Sequence, residues 1–156
     1  MSDSFREEAE IRNILSALWG HWVQQEVEPY VAFFSTDTDW ENGFGWRLRG
    51  RHRFREFLSD FLWPRQKGSQ YGPVGYRVEM LTPDCALAEY GFERIPPPNS
   101  PLRKRFVRTM HLLRRQHGGW EVIVTRIWDP LTDVSPPADR FPEFTDAPSS
   151  GMRPLE

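Results

Sequence analysis

The hydrophobic period of this chain changes along its length, and that change restricts the folds open to it. Through the first sixty or so residues, apolar side chains recur mainly at the three- and four-residue spacing of helices. From Gly75 to Trp128 they alternate, as strands do. Helices first and then strands joined by short turns define the α+β class. The expected architecture is three helices packed across one face of a strongly curved antiparallel sheet. Such a cone leaves an open end that can accept a ligand.

Ser4 and Glu7 read as a capping box at the start of a long first helix. Ile11, Ile14, Leu15, Leu18, Trp19, Trp22 and Val23 give that helix one wide apolar face. A short second helix has Pro29 in its first turn and buries Tyr30, Val31, Phe33 and Phe34. Asp37 to Asn42 reads as a strand, Gly43-Phe44-Gly45 as a turn, and Trp46 to Arg49 as the returning strand. After Gly50 a third helix is expected from Arg51 to Trp63, stopped by Pro64. The alternating segments are Gly75 to Thr82, Cys85 to Ile95, Arg103 to Arg115 and Trp120 to Trp128, the last two a hairpin around His117-Gly118-Gly119. Along the second of these, Ala86, Ala88, Tyr90 and Phe92 share one face, and Glu89 and Glu93 the other. Residues 1–129 thus form one domain, and 130–156 a Pro-rich tail. Within the tail Phe141 and Phe144 are expected to dock back on the domain, near the mouth of the cone.

Composition narrows the function classes. The net charge of −2 gives no general case for nucleic acid, and no recognition motif for it is present. The basic clusters Arg47 to Arg55 and Arg103 to Arg108 read as solvated faces. One cysteine, Cys85, excludes an intrachain disulfide and a cysteine-based zinc cluster. The four histidines show no metal-ligand spacing, and there is no phosphate loop, nucleophile elbow or dinucleotide fingerprint. No cofactor, metal or membrane partner is therefore expected. Neither a signal-peptide core nor a membrane span is legible, so the cytoplasm is the expected compartment.

The element order, with Trp40-Glu41-Asn42-Gly43-Phe44-Gly45-Trp46-Arg47-Leu48-Arg49-Gly50-Arg51 running into the third helix, resembles the nuclear transport factor two-like superfamily over about residues 5 to 128. It is similar above all to the SnoaL-like and SgcJ/EcaC-type proteins, and more distantly to the ketosteroid isomerases. The resemblance implies a cystatin-like cone with a pocket for a small hydrophobic molecule, aromatic, polyketide-like or steroid-like. It implies cofactor-free isomerisation, dehydration or cyclisation, or else a non-catalytic binding or homodimerisation module. The isomerase's general base falls on Asn42, which cannot take a proton, and its helix-one donor on Leu18. Its third catalytic position falls on His111, and an ungapped register turns Val124, Arg126 and Trp128 inward.

The candidate catalytic residues are thus His111, Asn42 and Arg126, with Trp22, Trp40, Leu58, Tyr90, Phe92, Thr109 and Trp128 around the substrate. Each has a second, plainer reading. Asn42 can satisfy backbone groups of its own turn. His111 can be a core imidazole, Arg126 a surface or interface charge, and the aromatics core packing. A homodimer is expected, because apolar residues such as Ile123 and Ile127 fall on both faces of the last hairpin.

Overall fold

A computed structural model describes residues 3–129, with side chains from residue 5 onward. Helix α1 (Asp3–Gln24) buries Ile11, Leu15, Leu18 and Trp22 along one face. It begins at Asp3, so Ser4 lies within the helix instead of capping it; its side chain is outside the described residues. Glu7 forms an ion pair with Arg115 on the far hairpin.

Helix α2 (Val27–Val31) is shorter than its apolar run suggests, because Phe34 opens strand β1 (Phe34–Glu41). The backbone there is claimed by the sheet: the Val122 N–H donates to the Phe33 carbonyl at 2.8 Å. Strand β2 (Arg47–Arg49) folds back on β1, and Gly50, at φ 90°, turns the chain into helix α3 (Arg51–Phe57). Pro64 does not stop this helix. A π-helical turn over Leu58–Leu62 follows, closed by the Trp63 N–H donating to the Leu58 carbonyl. The helix then runs on as α4 (Trp63–Arg65). The widened turn absorbs the proline, which has no N–H to donate, and sets Trp63 into the core.

The sheet continues through β3 (Gln70–Thr82), β4 (Cys85–Ile95), β5 (Arg105–Gln116) and β6 (Gly119–Trp128), in the order β2-β1-β6-β5-β4-β3. Strand β3 starts five residues before the alternation becomes legible, because Gly72 and Pro73 interrupt the pattern and the register shifts at Pro73/Gly75. The pairings are antiparallel except β1 with β6, which is parallel, so the sheet is mixed. No hairpin joins β1 to β6, so no tight turn dictates their relative direction. The helices cover one face, and Leu15, Leu18, Trp19, Phe54, Phe57 and Val122 meet in one core, as the change of period predicts. Val124 was expected in the same core but faces away from it, and the reason lies in β6. The expected docking of Phe141 and Phe144 lies outside the described residues.

Candidate functional site

The inner face of the cone follows from alternation. On β4 it carries Ala86, Ala88, Tyr90, Phe92 and, one step further, Arg94. On β5 it carries Val107, Thr109, His111 and Leu113. On β6 the parity breaks. Leu113 pairs with Val122 but Leu112 with Val124, so one extra residue, Ile123, is bulged out. Trp120 and Val122 point inward before the bulge; after it Thr125 and Ile127 do.

Arg126 and Trp128 consequently leave the site, contrary to the ungapped register. Arg126 lies on the convex face, where its guanidinium donates to the Asp39 carbonyl at 3.1 Å and pairs with the Asp39 carboxylate at 3.3 Å. The hydrogen bond from Arg47, with Arg126 adding to it, holds Asp39 at about 2. The same bulge sends Ile127 inward, away from the convex face.

His111 does face inward, and it is fully buried. Its Nδ1 lies 2.8 Å from Thr125 Oγ1 and its Nε2 3.3 Å from the Tyr90 hydroxyl. A neutral imidazole suits this arrangement, donating through one nitrogen and accepting at the other. Burial lowers its pKa to about 3 and raises that of Tyr90 to about 12. Arg126, on the other face, takes no part in this shift. Thr109 and Leu58 are buried in the same interior.

Two chambers open off this interior. The side chamber, about 280 Å³, lies between α1 and strands β3 and β4, walled by Leu15, Trp19, Pro73, Tyr76 and Tyr90, with Arg12 and Ser16 at its edge. The mouth chamber, about 50 Å³, is bounded by Trp22, Trp40, Asn42, Phe92, Arg94 and Ile127, with Phe44, Leu62 and Arg105 among its other walls. Trp19 and Phe92, 5.5 Å apart between ring centres, stand between the two. Of the expected site residues, Trp22, Trp40, Asn42 and Phe92 therefore share the mouth, Tyr90 reaches the side chamber, and His111 lies behind Tyr90. Asn42 performs its turn role: its Oδ1 accepts from the Phe44 and Trp46 N–H groups at 3.0 and 3.1 Å. Only its Nδ2 donor remains for a guest.

Sequence reasoning missed Arg94. Its signal was the alternation itself, since Arg94 is the next inward position after Phe92. It is only 6% exposed, and one nitrogen donates to the Arg103 carbonyl at 3.1 Å. Among the described residues its Nε has no acceptor, and neither do the buried indole N–H groups of Trp22 and Trp40.

No protein-family model matches the chain, and no curated protein matches it. Solved structures do. An uncharacterised protein with a cystatin-like fold from Caulobacter vibrioides superposes with a TM-score of 0.74 at 20% identity, covering 88% of this chain and 97% of the other. A nuclear transport factor two-like protein of unknown function from Pseudomonas putida gives 0.71 at 19% identity, over 87% and 99% of the two chains. A ketosteroid isomerase-like protein from Erwinia carotovora atroseptica gives 0.67 at 14% identity, over 80% and 97%. The fold is therefore the cystatin-like cone of the nuclear transport factor two-like proteins. None of the described helices is long and apolar enough to cross a membrane.

Proposed function

We propose that this domain binds a small, largely apolar, ring-bearing molecule in the side chamber, with the Tyr90 hydroxyl as its polar contact. The observation that carries the reading is the chamber itself. At about 280 Å³ it is near the lower end of small-molecule pockets, and Trp19, Tyr76 and Tyr90 supply ring faces for a planar guest. The fold agrees with this use, since one structural neighbour is described as ketosteroid isomerase-like. A thermal-shift screen of aromatic, polyketide-like and steroid-like compounds tests it. A ligand at a hundredfold its Kd should stabilise the protein by about 2.7 kcal/mol. Ser16→Trp, which fills the chamber's edge, should abolish that shift. A hit whose shift survives Ser16→Trp would put the guest elsewhere, and a screen without hits would remove the reading.

A second reading, cofactor-free proton transfer, is favoured by the contact from Tyr90 through His111 to Thr125. A guest oxygen at Tyr90 would meet a phenol that keeps its proton, at a pKa of about 12, and could donate a hydrogen bond to negative charge developing on that oxygen, with the neutral imidazole behind it fixing the hydroxyl. Arg126 and Asn42 have no part in that step: one is on the convex face and the other is committed to its turn.

The homodimer belongs to the same proposal. Leu87, Leu112 and Val124 lie in one row across three strands of the convex face, all half-buried. The Arg77–Glu89 and Arg114–Glu121 ion pairs, each 2.7 Å, flank that row. An apolar centre with a charged rim suits a two-fold interface. Sedimentation should give twice the chain mass, and Leu112→Glu should halve it. A wild-type chain that stays monomeric at high concentration contradicts the dimer.

A further inference from the structure

The mouth chamber is chemically unlike the side chamber. The side chamber is walled by rings and apolar groups. Three residues that line the mouth, Trp22, Trp40 and Arg94, each carry a buried side-chain N–H, at Nε1 or Nε, with no acceptor among the described residues. Buried donors are nearly always paired, so three unpaired ones on residues around one small chamber call for an acceptor.

The charge balance says which kind. Among the described residues no acidic side chain lines the mouth. Arg105 also reaches it, but its guanidinium is held by Asp129 through two hydrogen bonds of 2.7 and 2.5 Å. Arg94 has no such carboxylate among the described residues; its one described contact is the neutral Arg103 carbonyl. Among the described residues the mouth therefore holds two guanidinium groups, Arg94 and Arg105, beside one carboxylate, Asp129, an excess of one positive charge that is costly in a nearly buried position unless an anion completes it. The volume limits that anion. About 50 Å³ admits a carboxylate group but not a ring. Any larger body must stay at the rim, where Phe44, Leu62 and Ile127 offer apolar surface.

We propose that the mouth is a carboxylate site, with Arg94 as the anchor, the Trp22 and Trp40 indoles as donors, and the ligand a monocarboxylate with an apolar or aromatic body. This goes beyond binding in the side chamber and does not depend on it. Planar guanidinium groups pair well with carboxylates, and the indole N–H groups add direction without further charge.

Isothermal titration of the full chain with benzoate and with benzyl alcohol at pH 7.5 tests it. The two differ mainly in the carboxylate. Hydrogen bonds to a charged group make benzoate the tighter binder by roughly tenfold to a hundredfold. Arg94→Met should bring benzoate down to the level of the alcohol, with an unchanged circular dichroism spectrum, and Ser16→Trp should leave benzoate binding intact. Equal affinity of the two probes for the wild-type chain overturns the proposal without any variant. So does the absence of benzoate binding at millimolar concentration. Loss of benzoate binding in Ser16→Trp but not in Arg94→Met would place the acid in the side chamber and overturn it as well.

Discussion

Lowering the pH from 7 to 5 is expected to cost this fold about 2 kcal/mol through His111 alone. Burial sets the folded pKa of His111 at about 3, against an ordinary 6.5. The unfolded chain therefore takes up the proton first. The stabilisation is complete above pH 6.5 and is lost at about 1.4 kcal/mol per pH unit as the pH falls towards the folded value. Asp39, held at about 2 against 3.8, gives up its contribution only below that upper value, outside this range. Urea titrations at pH 7 and pH 5 measure the loss. His111→Gln can keep hydrogen bonds to Tyr90 and Thr125 but does not titrate, so it should lose distinctly less over the same interval. Equal losses in the two proteins would mean that His111 is not the group responsible. His111→Ala is a poorer probe. Beyond creating a cavity, it strands two buried hydroxyls, at about 1–3 kcal/mol for each unsatisfied group. Its effect on any activity could then not be separated from its effect on the fold.

The inward placement of His111 was legible only through the isomerase-like register, and the strand agrees with it: Val107, Thr109, His111 and Leu113 are buried between more exposed neighbours. The placement of Arg126 was not. Val122, Ile123, Val124 and Thr125 are four consecutive β-branched residues, so either parity gives equally good alternation on both sides of a bulge. A single extra residue then moves every later side chain to the other face. Pro64 misled for a related reason. A proline ends a regular α-helix, but a π-helical turn before it removes the conflict, and nothing in Leu58 to Leu62 announces such a turn. Arg94 was legible and overlooked: the rule that turns Tyr90 and Phe92 inward also turns Arg94 inward. A charge at an inward position, two residues before Pro96, breaks the apolar pattern of that face, and such local breaks are where functional or strained sites are expected.

That charge also predicts a conflict between stability and binding. In the ligand-free chain Arg94 is 6% exposed and unpaired among the described residues, so Arg94→Met should raise stability by roughly 1–2 kcal/mol, the methionine filling similar space without a charge to desolvate. The lost hydrogen bond to the Arg103 carbonyl offsets about 1 kcal/mol of the gain and is included in that figure. For a chain of this size the melting temperature should rise by about 2–8 °C. Benzoate should then reverse the order. At a hundredfold its Kd it adds about 2.7 kcal/mol to the wild-type chain and almost nothing to the variant. Melting curves of both proteins, with and without benzoate, give the four values needed. If Arg94→Met instead lowers stability by more than about 2 kcal/mol without ligand, the guanidinium is a structural brace for the segment at Arg103. The mouth would then be a consequence of that brace, and its unpaired donors no guide to a ligand. A crossing of the two orders is the result that a purely structural arginine cannot produce.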